Sequence, residues 1–125
     1  MLKPKRILVI DDELNLCIII QACLQNLGGW ETLTAVSAQE GLEIAQTQHP
    51  DAILLDVMMP DMDGLTVFQL LQESSTTSTI PVILFTAKVQ STDLEQFAQL
   101  DIAGVIAKPF DPMTLADQVA STLGW

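Results

Sequence analysis

Positive charge is scarce in this sequence. Five lysines and arginines stand against sixteen aspartates and glutamates, and the formal net charge is −11. A surface this acidic repels a nucleic-acid backbone, so direct nucleic-acid binding is not expected. Tyrosine is absent altogether. The only cysteines, Cys17 and Cys23, lie six apart in one apolar helical pattern. That spacing suits neither a disulfide framework nor a zinc site, so both are expected in or near the core. Long apolar stretches are missing near the N-terminus, where the basic segment MLKPKR leads into a run of only Ile7 to Ile10. That run is too short for a signal-peptide core or a membrane span. A soluble, cytoplasmic protein without membrane insertion is therefore expected.

What the sequence does have is apolar residues, 49% of 125. That suits one domain, residues 1–125, with a core that needs no disulfide or structural metal. Five strand-like runs alternate with helical patterns. The strands are expected at Arg6–Ile10, Glu31–Ala35, Ala52–Leu55, Pro81–Phe85 and Gly104–Ala107. Runs one, three and four are almost continuously apolar, as parallel strands covered on both faces should be. A first helix is expected over Glu13–Leu27, stopped by Gly28-Gly29. Its inner stripe is expected to be Leu16, Ile19, Ile20, Cys23 and Leu27, with Ile18 roughly opposite. Ser37-Ala-Gln-Glu40 reads as a capping box opening a second helix. Gly64–Gln72 and Leu94–Leu100 are the next two, and Glu73–Thr79 is a polar loop between them. Asp111-Pro112 reads as N-cap and first residue of a last helix along Ala116, Val119, Ala120 and Leu123. Repeated βα units imply right-handed crossovers and a parallel sheet. The fold class expected is α/β, flavodoxin-like and three-layered, with strand order 2-1-3-4-5 and helices on both faces.

In such sheets ligands bind beyond the carboxyl ends of the strands. Asp11-Asp12 follow strand one, Asp56 strand three, Thr86 strand four and Lys108 strand five. These strands are neighbours in the proposed order, so the side chains should converge. Each alone has a bland reading: a helix cap, a turn residue, a strand-end hydroxyl, a solvated lysine. Together at adjacent strand ends they are hard to explain that way. Three crowded carboxylates repel unless a cation sits among them. Mg²⁺ prefers oxygen ligands, which makes Asp12 and Asp56 the candidate direct ligands. Asp11 would act through a water or a hydrogen bond. The Met58 backbone carbonyl would add an oxygen, its soft thioether none. Asp56 could then serve as a nucleophile forming an aspartyl-phosphate. Lys108, the Thr86 hydroxyl and the Ala87 N–H would steady the phosphoryl oxygens.

The segments ILVIDDE at 7–13, ILLDVMMPDMDG at 53–64, PVILFTA at 81–87 and KPF at 108–110 resemble the receiver domain of two-component response regulators. The resemblance runs from Ile7 to about Leu123. It implies that Asp56 accepts phosphate from a phosphohistidine on a sensor histidine kinase or histidine phosphotransfer protein. It also implies that Asp11 and Asp12 are the acidic pair, Thr86 the switch hydroxyl and Lys108 the site lysine. The Lys108-Pro109 bond is expected to be cis. Pro60 and Gly64 match the loop after the acceptor and are read as turn residues. The activity expected is that of a signalling receiver rather than an enzyme. It would stand alone without an output domain, as a monomer or weak dimer, acting on an unknown protein target.

One position departs from the family's pattern. Many receivers carry an aromatic three residues before the lysine, where this chain has Val105. A stiff, short Val cannot make a large inward swing, so a smaller surface change is expected. Met58 and Lys88 flank the site and are expected to slow loss of the phosphoryl group. Ile18 suggests a docking surface on the first helix. Two other chemistries fit less well. A haloacid-dehalogenase-type phosphatase needs an acid two residues after its nucleophile, where Met58 stands. A flavin module needs a phosphate loop where Asp11-Asp12 stand. A degenerate receiver would not keep the whole acidic set.

Overall fold

The computed structural model describes residues 4–87 and 91–125. The central strands form because their apolar runs can be buried on both faces. Strand β1 is Arg6–Ile10, β2 Glu31–Ala35, β3 Ala52–Asp56, β4 Val82–Thr86 and β5 Gly104–Ala107. They pair in parallel in the order β2-β1-β3-β4-β5. Helices α1 (Leu14–Gly28), α2 (Ala38–Gln48), α3 (Gly64–Glu73), α4 (Ser91–Ala98) and α5 (Leu115–Leu123) connect them. The expected fold class and order are thus found.

Alternation along the strands divides the core into two layers. Leu8, Ile10, Ile53, Leu55 and Leu84 pack on one face with Val67, Phe68 and Phe97 from the helices. Ile7, Val9, Leu54, Ile83 and Phe85 pack on the other with residues of α1 and α5. Each fully buried Leu or Ile contributes on the order of 1.5–3 kcal/mol. These layers fix the sheet, and the sheet fixes the strand ends.

Several boundaries differ from expectation. Strands β3 and β4 each continue one residue further, so Asp56 and Thr86 are the last residues of their strands. Pairing carries them there: Asp56 is level with Phe85, and Thr86 with Ala107. Helix α4 starts earlier and ends at Ala98, and α5 begins at Leu115 rather than at Asp111-Pro112. Asp111 instead closes a turn ahead of α5. Its carbonyl accepts from the Thr114 and Leu115 N–H groups at 3.0 and 3.1 Å, and its Oδ1 accepts from Met113 N–H at 2.9 Å. Leu100 closes a final turn on Phe97 after α4.

The inner face of α1 is also turned from the expected one. Cys17, Ile20, Cys23 and Leu24 are buried, whereas Ile19 and Leu27 are 47% and 51% exposed. The segment Leu16-Cys-Ile-Ile-Ile20 is apolar all round, so its periodicity does not select a face; packing against α5 and the sheet does. Both cysteines are free and buried, as expected. Ile18 is exposed, also as expected. The helix ends at Gly29, whose φ of 71° is the left-handed cap conformation.

At the amino end of the sheet the contacts are complementary. The Arg6 N–H donates to Asp51 Oδ2 at 2.8 Å, and the Arg6 guanidinium donates to the Gln48 carbonyl. The Trp30 and Trp125 rings meet edge-on with centroids 5.4 Å apart, and Lys5 Nζ lies 4.7 Å from the Trp125 ring centroid. No helix among the described residues is long and apolar enough to cross a membrane.

Candidate functional site

The carboxyl end is where polar side chains are buried. Asp11, Asp56, Thr77 and Thr86 are the buried polar residues among those described, and three of these four sit at strand ends here. Asp11 leaves β1 with its N–H donating to the Ala35 carbonyl at 3.0 Å, so the sheet ladder extends into the site. Both oxygens of its carboxylate are held by the protein. Oδ1 accepts from Glu13 N–H at 2.9 Å, and Oδ2 accepts from Lys108 Nζ at 2.8 Å. Lys108 Nζ also lies 3.2 Å from Asp56 Oδ1, bridging β1 and β3 from the end of β5. Met58 N–H donates to the same Asp56 oxygen at 3.3 Å. Asp12 is exposed beside this pair. Asp11, Asp12 and Asp56 each offer an oxygen within 4.8 Å of the others, a grouping able to hold a metal ion.

Electrostatics follow from burial. Loss of water pushes the Asp56 carboxyl up to about 6, with the Asp11 charge adding to the rise and Lys108 opposing it. Burial also works against the charged form of Lys108. The hydrogen bond and charge of Asp11, with the charge of Asp56, outweigh it and hold the ammonium above its usual value. Lys108 Nζ further sits 4.8 Å from the centroid of the Phe85 ring, over its face. Hard oxygen donors in a cluster short of positive charge suit Mg²⁺. The donor set therefore fits that ion.

Thr86 is buried at the end of β4, and Ala87 beyond it is exposed. The Thr86 carbonyl accepts from Lys108 N–H at 2.9 Å, which ties the two strand ends together. The Lys108-Pro109 peptide is cis, as the resemblance implied. Two clefts flank the cluster. One, about 430 Å³, is lined by Glu13, Leu16, Ile19, Lys108, Pro109 and Phe110 among others. The other, about 420 Å³, is formed by Val57, Met58, Met59, Pro60 and Asp63. Met58 is 59% exposed at its edge. The expectation placed on Lys88 lies outside the described residues.

All the strand-end residues singled out in the sequence are brought together. Val105 lies apart on β5, half-buried, with a cleft on either side: one shared with Phe97 and Leu100, one with Thr114 and Gln118. Two residues escaped the sequence reading. Phe85 provides the ring under Lys108. Asp61, in the loop after Asp56, binds the N-terminus of α2 through Ala38 N–H at 3.0 Å. The DMDG run at 61–64 could have flagged Asp61 as a cap, but nothing local says that the capped helix is a different one.

The response regulator receiver domain family matches residues 7–120. A probable transcriptional regulator, ycf27, of Cyanophora paradoxa is 37% identical over 122 residues, covering 98% of this chain and 49% of its own length. The chain thus spans about half the length of that relative. Among solved structures, the chemotaxis response regulator CheY4 of Vibrio cholerae aligns with a TM-score of 0.88. The two are 26% identical, with 96% of this chain and 99% of that one covered. The receiver domain of sensor histidine kinase PA1611 from Pseudomonas aeruginosa PAO1 aligns with a TM-score of 0.84 at 25% identity, covering 98% and 99%. That structure has a magnesium ion coordinated in its active site cleft.

Proposed function

Because the chain belongs to the response regulator receiver domain family, we propose that it takes a phosphoryl group onto Asp56 from a phosphohistidine and signals the change through protein contacts. The observation that carries this reading is the position of Lys108 Nζ, 2.8 Å from Asp11 and 3.2 Å from Asp56 at the carboxyl end of the sheet. Asp12 and Asp56 would be the direct Mg²⁺ ligands, with the Met58 carbonyl. Asp11 would act through a water or a hydrogen bond, its carboxylate already holding Glu13 N–H and Lys108. The magnesium in the cleft of the PA1611 receiver supports the same metal here. When bound, the ion neutralises charge on the phosphoryl oxygens and lets three carboxylates share one place.

The residues then divide the work. An Asp56 carboxylate oxygen attacks phosphorus; an O–P bond forms as the N–P bond to the donor imidazole breaks. Lys108, released from Asp56 once its carboxylate has become an acyl phosphate, pairs with a phosphoryl oxygen while keeping Asp11. The Thr86 hydroxyl and Ala87 N–H donate to the remaining oxygens. The donor protein docks on α1, where Leu14, Ile18 and Ile19 are exposed and Leu16 and Ile19 line the cleft beside the Lys108–Phe110 segment. Ile18→Arg should weaken transfer from the protein donor and leave transfer from a small phosphodonor intact. Equal loss of both would argue against docking there.

The decisive experiment is incubation with acetyl phosphate and Mg²⁺, read by intact mass. Wild type should gain one phosphoryl group that Asp56→Asn does not. Phosphate on the Asn variant, or none on wild type, would overturn the proposal.

A further inference from the structure

Residues 57–63 lie between β3 and α3, in neither strand nor helix, and include Met58. Their two ends are held close to home. Gly64 N–H donates to the Val57 carbonyl at 2.8 Å, and Asp63 caps α3 through Leu65 N–H at 2.7 Å. A Cβ on Gly64 would fall 2.4 Å from the Asp56 carbonyl oxygen, so α3 begins directly against the acceptor's backbone.

The middle is held from elsewhere. Asp61 accepts from Ala38 N–H at 3.0 and 3.3 Å and from Gln39 N–H at 3.4 Å, more than twenty residues back in the chain. These are the first two N–H groups of α2. The third, Glu40 N–H, goes to the helix's own cap, Ser37 Oγ, at 3.1 Å. Helix α2 thus has two caps, one local and one from the loop. A carboxylate is favoured there by the positive end of the helix dipole. The helix itself is a firm anchor. Ala38, Gly41 and Ala45 are buried, and a Cβ on Gly41 would meet Ile10 Cδ1 at 2.5 Å. Ile10 is the residue before Asp11. The same helix therefore packs against the β1 side of the site and ties down the loop that leaves β3.

We infer that Asp61 is a positioning residue: its bond to the α2 N-terminus holds the loop so that the Met58 carbonyl stays in place for the divalent cation. This rests on the reading of Asp11, Asp12 and Asp56 as a Mg²⁺ site. Asp61 is spent on the α2 N-terminus and is not one of the clustered carboxylates, so its effect belongs in metal affinity rather than in the chemical step.

The test is Mg²⁺ titration of the full chain by calorimetry, paired with urea melts and with acetyl phosphate kinetics at varied Mg²⁺. Asp61→Ala should weaken Mg²⁺ binding by about 3- to 10-fold. The rate at saturating Mg²⁺ should stay close to wild type, while half-saturation moves up in step with the affinity. Asp61→Asn keeps an acceptor oxygen and should recover most of the loss. Ser37→Ala removes the local cap of the same helix and should lower the urea midpoint without moving Mg²⁺ affinity. Unchanged affinity in Asp61→Ala, or equal weakening in Ser37→Ala, would overturn the inference. If wild type binds Mg²⁺ and Asp61→Ala binds it equally, only the positioning role falls. If wild type binds none, the metal site falls and takes that role with it.

Discussion

The two ends of this sheet are built on opposite electrostatic plans. At the amino end several groups meet complements: the Arg6 N–H with Asp51, the Arg6 guanidinium with the Gln48 carbonyl, Lys5 with the Trp125 ring, Trp30 with Trp125. At the carboxyl end Asp11, Asp12 and Asp56 gather around Lys108. One end is closed by its own contacts. The other is left with excess negative charge, and only an added cation or a change in that charge relieves it. Stability and function are separated along the same five strands.

That contrast can be broken in order of effect. Removing Lys108, the lysine that pairs with Asp11 and Asp56, is most severe. Lys108→Ala should slow phosphorylation of Asp56 by acetyl phosphate about 100-fold or more, measured by intact mass over time. Next is Gly64→Ala, which forces a methyl group into the Asp56 backbone; a loss of about 2–4 kcal/mol in urea unfolding is expected. Trp125→Ala strikes the other end. It should cost about 2 kcal/mol while leaving the phosphorylation rate unchanged, and a parallel loss of rate would show that the ends are coupled.

The last effect has the opposite sign. Asp56 holds its proton more firmly when folded, up to about 6 against an ordinary 3.8. Stability should therefore fall as pH rises through that interval, with the whole penalty present above about 6. Asp56→Asn lifts it. Without metal the variant should be more stable than wild type by about 1–3 kcal/mol at pH 7.5 and no more stable below pH 4. Mg²⁺ should erase the difference, which thermal melts with and without the ion will report.

How much of this was legible in the sequence depends on whether a signal is local. The strand-end residues were legible because Asp11, Asp56, Thr86 and Lys108 each interrupt or end an apolar run, and the βα alternation orders the runs. The inner face of α1 was not, since Leu14 and the apolar block from Leu16 to Ile20 surround the helix and leave the choice to packing. Asp111-Pro112 looks like a helix start, yet its bonds close a separate turn that precedes Leu115. Asp61 was invisible as a cap of α2 because its partners, Ala38 and Gln39, are distant in sequence. Val105 could be read as a missing aromatic, but not as a small residue between two clefts.

Cys17 extends the picture in a different direction. Its thiol donates to the Asp11 carbonyl oxygen at 3.3 Å, directly beneath the acidic cluster. Burial, and then the charge of Asp11, push it up to about 11. In the seated helix the sulfur is neither reachable nor ionised, so an alkylating reagent reacts only when α1 lifts away from the sheet. The chain thus carries a built-in stopwatch. The rate at which Cys17 is modified times the opening of the layer behind the acidic cluster, and comparing that rate with Asp56 free and phosphorylated reads how far the added charge is felt through the backbone of Asp11.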